Sequence, residues 1–322
     1  MESRPQILLT RRWAKPVMKA LNESYEVTAP TGDVPFARTE ILKAQDGIEA
    51  FCPTAFDPVP ADLIAALPES VRLIASFGVG IDHIDLDAAA RRGLAVTNTP
   101  DVLTDDTADT AIGLMLATCR RFWEREKTLR DGLWAGPTPG GALGTKMTGK
   151  TLGIVGLGRI GRAVARRARA FDMPIIYYSR RRDPDAEVSL GLVWCETLAE
   201  LLGRADIVSL HCPLTEATHH LIDRAALAAM KSTAFLVNTG RGALVDEAAL
   251  VEALRDGAIA GAGLDVYEFE PRLAPGLAEL ENTTLLPHIG SATRETREAM
   301  AWRVKENLDA YLAGQEPKDR VV

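Results

Sequence analysis

Ten short apolar runs recur along the chain, and they constrain its fold more than any other feature of the sequence. Between most of them lie stretches rich in Ala, Leu, Arg and Glu, with apolar residues at helical spacing. Runs of four or five apolar residues without polar alternation are typical of strands covered on both faces, as in a parallel sheet. The predicted strands are Gln6–Leu9, Gly47–Phe51, Leu73–Ser76, Ala95–Asn98, Leu152–Val155, Ile175–Tyr178, Ile207–Leu210, Phe235–Asn238, Gly261–Asp265 and Thr284–Leu286. Strand–helix alternation over 322 residues therefore predicts an α/β protein with doubly wound parallel sheets.

Composition and charge narrow the class of protein. Apolar residues make up 47% and charged residues 25%, as in an average globular protein. The net charge of −7 disfavours nucleic acid and membrane surfaces as partners. The four cysteines form no CxxC pair and show no metal-ligand spacing, so we expect reduced thiols and no metal site. No apolar stretch approaches the ~18 residues of a membrane span or forms a signal-peptide core, and the expected location is the cytoplasm.

Two polar turns predict that the chain leaves its first domain and later returns to it. Asn98–Asp106 precedes a helical pattern over Thr107–Arg130, and Pro287–Ser291 precedes a second pattern over Arg294–Leu312. If the central part is one domain, residues 1–104 and 290–322 form the first domain and 105–289 the second. A simple split near residue 145 is the alternative. The Gly- and Pro-rich segment 132–149 is predicted to be an exposed loop and not a domain boundary.

A glycine-rich turn provides the strongest local signal. The strand Leu152–Val155 runs directly into Gly156-x-Gly158-x-x-Gly161 and then into a helix. In such a motif the first glycine permits a tight turn, the second lets the backbone approach a pyrophosphate, and the third lets helix and strand pack closely. The helix N-terminus adds free N–H groups for the phosphates. This context favours dinucleotide binding over a plain structural turn.

The residues after the next strand bear on which dinucleotide is bound. An NAD-dependent enzyme places an acidic residue roughly 20 residues past the motif, where it binds the ribose 2′-hydroxyl. This chain has Ser179, Arg180 and Arg181 there, and the next acid is Asp183. A carboxylate would repel a 2′-phosphate, whereas serine and arginine can bind it through charge-assisted hydrogen bonds. The segment therefore predicts NADP(H), with NADH as a weaker alternative, and a solvated basic loop is the other interpretation.

Three segments that follow apolar runs offer the groups that carbonyl reduction needs. They are Leu236–Asp246, Gly261–Pro271 and Leu285–Thr293. Reducing a 2-oxo acid requires a guanidinium for the carboxylate and carbonyl, an acid to protonate the developing alkoxide, and an anion to support that acid. Arg241, His288 and Glu270 are the candidates for these roles, although spacing alone favours a structural role for each of them. The other histidines are predicted to be structural: His83, His211, His219 and His220.

Ordered motifs along almost the whole chain resemble those of the D-isomer-specific 2-hydroxyacid dehydrogenases. They are SFGVGIDHIDL (76–86), VTNTPDVLTDDTADTAIGLMLATCRR (96–121), GKTLGIVGLGRIG (149–161), HCPLTEATHHLID (211–223), NTGRGALVDEAAL (238–250), GLDVYEFEP (263–271) and LLPHIGSAT (285–293). YYSRR, TDDTAD and PHIGSAT resemble in particular the NADPH-dependent glyoxylate/hydroxypyruvate reductases, which include plant hydroxyphenylpyruvate reductases. This resemblance implies a flavodoxin-like substrate domain, a Rossmann cofactor domain, and reduction of glyoxylate or hydroxypyruvate to D-2-hydroxy acids. It also implies a homodimer that forms around Thr107–Trp123.

The resemblance further implies a role for each site residue. Arg241 would be the catalytic arginine, Glu270 the supporting glutamate and His288 the proton donor, so reduction should fade as the histidine loses its proton at higher pH. The backbone amides of Val79 and Gly80 would bind the substrate carboxylate together with Arg241. The implied cofactor contacts are Thr107, Gly156, Leu157, Gly158, Arg159, Ile160, Gly161, Ser179, Arg180, Arg181, Cys212, Pro213, Thr239, Gly240, Asp265 and Gly290. Among these, Ser179–Arg181 would bind the 2′-phosphate and Asp265 the nicotinamide amide.

Alternatives to a small-acid reductase remain open. In these reductases an aromatic residue from the dimer partner can close the pocket, and the loop Gly136–Leu143 has no aromatic after Trp134. A larger acceptor such as phenylpyruvate or 2-ketogluconate is therefore possible. A D-3-phosphoglycerate dehydrogenase would more often carry an acid at position 179. A dinucleotide-sensing interaction protein without enzymatic activity is the alternative from another class, and the intact set of Arg241, Glu270 and His288 argues against it.

Overall fold

The computed structural model describes residues 4–43, 47–137, 139–141 and 143–322, and the chain divides into two compact units. One unit comprises Met1–Leu103 and Ala292–Val322, and the other comprises Thr104–Ser291. Each unit contains one sheet, and all strand pairs between named strands are parallel. The predicted α/β class with two parallel sheets is confirmed. None of the described helices carries an apolar run of the length that a bilayer crossing requires.

The described residues form twelve strands and twelve α-helices. The strands are β1 Gln6–Leu9, β2 Glu26–Thr28, β3 Ile48–Cys52, β4 Leu73–Ala75, β5 Ala95–Thr97, β6 Leu152–Val155, β7 Ile175–Tyr178, β8 Leu192–Trp194, β9 Ile207–Leu210, β10 Phe235–Asn238, β11 Gly261–Leu264 and β12 Thr283–Leu285. The helices are α1 Lys15–Ser24, α2 Arg38–Ile41, α3 Ala61–Ala66, α4 Leu86–Arg91, α5 Thr104–Cys119, α6 Phe122–Arg130, α7 Arg159–Ala168, α8 Pro184–Leu190, α9 Leu198–Arg204, α10 Arg224–Ala229, α11 Glu247–Arg255 and α12 Arg294–Leu312.

The first unit is built on a five-stranded sheet in the order β2-β1-β3-β4-β5. This is the flavodoxin-like order, in which the sheet grows first to one side of β1 and then to the other. Its central strands are mostly apolar, and Phe51 in β3 and Ile74 in β4 are completely buried. Beyond β5 the sheet edge is covered, because the amide of Val96 donates to the carbonyl of Val322 at 3.2 Å and the amide of Val321 donates to the carbonyl of Val96 at 2.7 Å.

The second unit is built on a seven-stranded sheet in the order β12-β11-β10-β9-β6-β7-β8. This is the Rossmann order with one further strand, and the direction of growth reverses between β6 and β9. The register pairs Val155 with Leu210 and Asn238 with Leu264, so the strands end level with one another. The loops that follow them therefore lie along one edge of the sheet. In open α/β sheets, ligands bind at this edge beside the point of reversal.

The ten predicted strands are all present, each within one residue of its predicted bounds, and β2 and β8 are additional. Both additional strands are three residues long and lie at a sheet edge. Two of the three residues of β2 are exposed, and Val193 in β8 is 51% exposed. Edge strands with exposed side chains have no continuous apolar run, which is why the pattern did not predict them.

The predicted continuous helix over Thr107–Arg130 is wrong. The chain forms α5 and α6, and Arg121 between them has a left-handed backbone with φ of 55°. The segment after α6 packs against this break, since the amide of Thr145 donates to the carbonyl of Cys119 at 2.6 Å and a Cβ added to Gly144 would lie 2.8 Å from the Cα of Arg120. The break is therefore made by tertiary contacts, because no glycine or proline marks it in the sequence.

The segment 132–149 is mostly exposed, as predicted, and only Met147 within it is buried among the described residues. Within the loop Gly136–Leu143, which bears on pocket size, Thr138 and Ala142 lie outside the described residues. Trp134, the last aromatic before that loop, is 62% exposed.

Candidate active site

The three glycines after β6 have three different surroundings. Gly156 has φ of 94°, and a Cβ there would lie 2.5 Å from the amide nitrogen of Cys212. A Cβ at Gly161 would lie 2.3 Å from the carbonyl oxygen of Gly156. A Cβ at Gly158 would meet no atom of the described chain within 4 Å. Packing therefore excludes any side chain at Gly156 and Gly161, whereas Gly158 faces open space.

The open glycine also begins the next helix. Gly158 is the N-cap residue of α7, and as glycine it has no side chain that could accept from the first-turn amides. Uncapped amides at a helix N-terminus bind anions through hydrogen bonds and the helix dipole. Leu157 is buried beneath the turn, while Arg159 is exposed. The turn thus directs the backbone N–H groups at the start of α7 towards the open space beside Gly158, where a phosphate could bind.

Asp183, the first acidic residue after β7, already has partners within the protein. Asp183 accepts from the amide of Ala186 at 2.9 Å as the N-cap of α8, and it also forms an ion pair with Arg162. The amide of Ala186 and the guanidinium of Arg162 lower the pKa of Asp183. Arg182 is likewise paired, with Glu187 at 2.8 Å. The carboxylate of Asp183 is therefore occupied by the protein itself.

The preceding residues of this loop have fewer protein partners. Ser179 is half-buried, and its Oγ donates to the carbonyl of Arg181 at 2.5 Å. Arg180 and Arg181 are exposed, and the structure gives neither an ion pair with any residue it describes. The loop thus brings one hydroxyl together with two guanidinium groups whose charge is not compensated by a neighbouring carboxylate.

His288 and Glu270 lie side by side at the ends of the loops after β12 and β11. Nδ1 of His288 is 2.8 Å from Oε2 of Glu270, and each side chain is 23% exposed. The other carboxylate oxygen, Oε1, accepts from the amide of Tyr267 at 2.9 Å. The hydroxyl of Tyr267 in turn donates to the carbonyl of Leu286 at 2.8 Å, which connects the two loops. The pair is therefore held from both sides by hydrogen bonds.

Asp265 fixes the chain directly after His288. Its two oxygens accept from the amides of Ile289 and Gly290, each at 2.7 Å, and the residue is 1% exposed. Burial raises the pKa of Asp265, while the two amides act in the opposite direction. Both oxygens are used within the protein, so the contact between Asp265 and a nicotinamide amide stays a prediction. Gly290 packs tightly here, since its Cβ would lie 2.9 Å from Oδ2 of Asp265 and 3.7 Å from Thr107.

The turn that carries Arg241 is organised by the buried side chain of Asn238. Its Nδ2 donates to the carbonyl of Arg241 at 2.8 Å, and its Oδ1 accepts from the amide of Gly240 at 3.0 Å. One guanidinium nitrogen of Arg241 donates to the carbonyl of Gly240 at 2.9 Å. Oγ1 of Thr239 is buried, and no described group hydrogen-bonds to it. The side-chain carboxamide of Asn238 therefore holds the backbone turn from which Arg241 projects.

Two supporting residues were not predicted from the sequence. A Cβ at Gly242 would lie 1.8 Å from the carbonyl carbon of Tyr267, so the Arg241 turn and the Glu270 loop touch backbone to backbone. Glu247, which is 2% exposed, accepts from the amide of Glu268 at 2.7 Å. Burial raises the pKa of Glu247. The one sequence signal was the glycine directly after Arg241, and Glu247 gave none.

The loop after β9 packs against the glycine turn. The ring of His211 lies 2.8 Å from Oγ of Ser209 through Nε2, and burial lowers its pKa to about 4. His211 is therefore neutral near pH 7 and unsuited to proton donation. Burial raises the pKa of Cys212 to about 11, so this half-buried thiol stays protonated, and the exposed Pro213 follows it.

In the first unit, the turn after β4 is held through its carbonyl groups. The carbonyl of Val79 accepts from Nδ2 of Asn98 at 2.8 Å, and the carbonyl of Gly78 accepts from the amide of Thr99 at 2.9 Å. Within the described residues, the amides of Val79 and Gly80 have no such partner. Asn98 itself is tied to α12, since its carbonyl accepts from Nδ2 of Asn307 at 3.2 Å.

These surroundings fit a dinucleotide. The open face of Gly158 leaves room for a pyrophosphate, and the close contacts of Gly156 and Gly161 are those the motif requires. The buried Oγ1 of Thr239, without a described partner, is a polar atom that a ligand could satisfy.

Comparisons with known families, sequences and structures all point to the same family of dehydrogenases. The family model described as "D-isomer specific 2-hydroxyacid dehydrogenase, NAD binding domain" matches residues 112–290. A glyoxylate reductase of Thermococcus litoralis is 44% identical over 99% of this chain and 97% of its own length. A crystal structure of an NADPH-dependent glyoxylate/hydroxypyruvate reductase from Sinorhizobium meliloti, in complex with NADP and malonate, has a TM-score of 0.89 and 38% identity. It covers 99% of this chain and 97% of that one. From the sheet orders, the glycine turn and these similarities, the chain belongs to the D-isomer-specific 2-hydroxyacid dehydrogenases, a family of oxidoreductases.

Proposed function

We propose that this protein reduces small 2-oxo acids, glyoxylate and hydroxypyruvate, to D-2-hydroxy acids with NADPH. The observation that carries the reaction type is the pairing of His288 with Glu270 at 2.8 Å, on loops beside the turn of Arg241. The relatives named glyoxylate reductase support glyoxylate as a substrate.

The polar residues of the proposed site have distinct tasks. The guanidinium of Arg241 binds the substrate and polarises its carbonyl. Nε2 of His288 holds the proton that passes to the carbonyl oxygen. Glu270 accepts from Nδ1, which orients the ring, and its negative charge offsets the positive charge of a doubly protonated ring. The amides of Val79 and Gly80 are assigned to the substrate carboxylate.

The residues that would hold the dinucleotide follow from the same loops. A reduced nicotinamide, when bound, supplies a hydride to a carbonyl carbon. Leu157–Ile160 would face the pyrophosphate between Gly156 and Gly161. The remaining assigned contacts are Thr107, Cys212, Pro213, Thr239, Gly240, Asp265 and Gly290.

The preference for NADPH rests on the loop after β7. Arg180 and Arg181 have no described ion-pair partner, whereas Asp183 is occupied by Arg162 and by the start of α8. The loop thus offers two cations to a 2′-phosphate and no available carboxylate to a 2′-hydroxyl.

We expect the wild-type protein to turn over with NADPH, and Arg180→Ala and Arg181→Ala each to raise KM for NADPH. A charge-assisted hydrogen bond contributes about 1.5–3 kcal/mol, which corresponds to roughly 10- to 150-fold. KM for NADH should change little. Initial rates with both cofactors and with glyoxylate, hydroxypyruvate and phenylpyruvate measure this.

Arg182→Ala is the matched control, because Arg182 is already paired with Glu187. This substitution should leave the cofactor preference unchanged. A wild-type preference for NADH would show that the arginines form only a solvated loop. Faster turnover of phenylpyruvate than of glyoxylate would favour the larger acceptors. Tight nucleotide binding without turnover of any acceptor would favour the dinucleotide-sensing alternative.

We further propose a cytoplasmic homodimer. The four cysteines are free thiols, which suits a reducing compartment. Exposed apolar side chains gather on α6 and directly after it: Phe122, Trp123, Leu129, Leu133 and Trp134. Apolar clusters of this kind are typical of protein interfaces. Sedimentation equilibrium should give the mass of two chains, and a single-chain mass at micromolar concentration would contradict the dimer.

A further inference from the structure

Two histidines with no role in the proposed reaction meet a glutamate at the surface of the second unit. His219 and His220 lie between β9 and α10, and Glu268 lies on the loop after β11, two residues before Glu270. One ligand atom of each of the three residues lies within 4.8 Å of the other two. Nε2 of His220 is 2.8 Å from Oε1 of Glu268, and the two imidazole rings are 4.0 Å apart between centroids. The sequence predicts neither the cluster nor a metal site.

The backbone holds the three residues in place. The amide of His219 donates to the carbonyl of Thr215 at 2.9 Å, and the amide of His220 donates to the carbonyl of Ala243 at 2.8 Å. The amide of Glu268 is held by Oε1 of Glu247 at 2.7 Å. The three side chains therefore project from backbone positions that hydrogen bonds hold in place.

The donor set identifies the kind of ion. Two imidazole nitrogens and one carboxylate oxygen suit Zn²⁺ and similar divalent transition metals, whereas Mg²⁺ and Ca²⁺ prefer oxygen ligands alone. Tetrahedral Zn²⁺ with bonds of about 2.0–2.1 Å places its ligand atoms about 3.3 Å apart. The 2.8 Å between Nε2 of His220 and Oε1 of Glu268 lies below this value, and the upper limit of 4.8 Å for all three ligand atoms lies above it. The ring of His219 is exposed, so solvent surrounds it on one side.

We propose that His219, His220 and Glu268 form a binding site for Zn²⁺, with water completing the coordination. The side chain of Glu268 is 11% exposed and that of His220 33% exposed, so the ion would be partly shielded and reached from the side of His219. Once bound, the ion fastens the turn of His219 and His220 to the loop that carries Glu270.

The test is Zn²⁺ titration of the chelator-treated full-length protein by calorimetry. We expect one ion per chain for the wild type. His219→Ala and Glu268→Gln should each weaken binding at least tenfold, since even the loss of an outer hydrogen bond to a ligand costs about 10- to 100-fold. Glu216→Gln is the matched control, because Glu216 is an exposed acid of the same turn outside the cluster, and it should bind as the wild type does.

Substitution with Co²⁺ identifies the ligands independently of affinity. The visible spectrum should be that of nitrogen and oxygen ligands, without the intense near-ultraviolet band of a thiolate. A thiolate band would place the ion at a cysteine and overturn the proposal. Equal Zn²⁺ affinity in the wild type, His219→Ala and Glu268→Gln would overturn it as well, as would a wild type that binds no Zn²⁺. None of these measurements requires turnover, so they do not depend on the proposed reaction.

Discussion

Replacing His288 with alanine should lower kcat by roughly 10²- to 10⁴-fold, the usual contribution of a positioned general acid. The reason is geometric, because Glu270 engages Nδ1 of His288 at 2.8 Å, and the proposed mechanism assigns the transferred proton to Nε2. Dinucleotide binding should change only modestly, since the glycine turn and the loop after β7 are unaltered. Steady-state turnover with NADPH, together with a fluorescence titration of NADPH, separates the two effects.

Glu270→Gln gives a graded comparison. The amide oxygen can still accept from Nδ1, but the negative charge beside the ring is lost, so kcat should fall less than in His288→Ala. Glu279→Gln serves as the control, because that carboxylate is exposed and lies outside both the proposed site and the His219, His220 and Glu268 cluster. Near-normal turnover in His288→Ala would remove the proton-donor assignment and with it the proposed reaction mechanism.

Gly161→Ala and Gly158→Ala should damage the protein in opposite ways. At Gly161 the new Cβ would lie 2.3 Å from the carbonyl oxygen of Gly156, so β6 and α7 must separate. Such overpacking costs about 1–3 kcal/mol or more in the free energy of unfolding, which corresponds to a fall in Tm of roughly 2–12 °C for a unit of this size. Differential scanning calorimetry without nucleotide should detect this fall.

At Gly158 the added methyl group meets no described atom within 4 Å, and the backbone there has φ of −80°, which any residue adopts. Tm should therefore stay at or slightly above the wild-type value. NADPH should bind at least tenfold more weakly, because the methyl group would occupy the space that we assign to the pyrophosphate. Unchanged NADPH affinity in Gly158→Ala would mean that this face of the turn does not receive the phosphates.

The fold was predictable where local pattern and tertiary burial agree. Strands buried on both faces, such as β6 and β10, consist of apolar runs, and their bounds were predicted without error. The edge strands β2 and β8 lack such runs because part of each faces solvent. The break at Arg121 is imposed by the chain near Gly144, and a helical pattern carries no information about a contact more than 20 residues away.

The candidate site was predictable only as a set of residue types. The motifs predict Arg241, Glu270 and His288 on loops after β10, β11 and β12, while the 2.8 Å pairing of His288 with Glu270 is a structural finding. The groups that hold these loops were missed, because Asn238 looks like the polar end of a strand and Glu247 like an ordinary first-turn acid. Their role depends on which backbone amides the fold brings to them.

The pairing beyond β5 has a consequence for how this sheet edge avoids pairing with strands of other molecules. The outer edge of β5 would be an open hydrogen-bonding ladder, but residues 319–322 satisfy it, with Asn98 donating to Asp319 and Val321 to Val96. The amides of Val96 and Asn98 on this edge are therefore already paired and are not available to an incoming strand from another molecule. Those four residues protect the β5 edge of the flavodoxin-like sheet from edge-to-edge aggregation, and loss of their pairing would uncover a template for it.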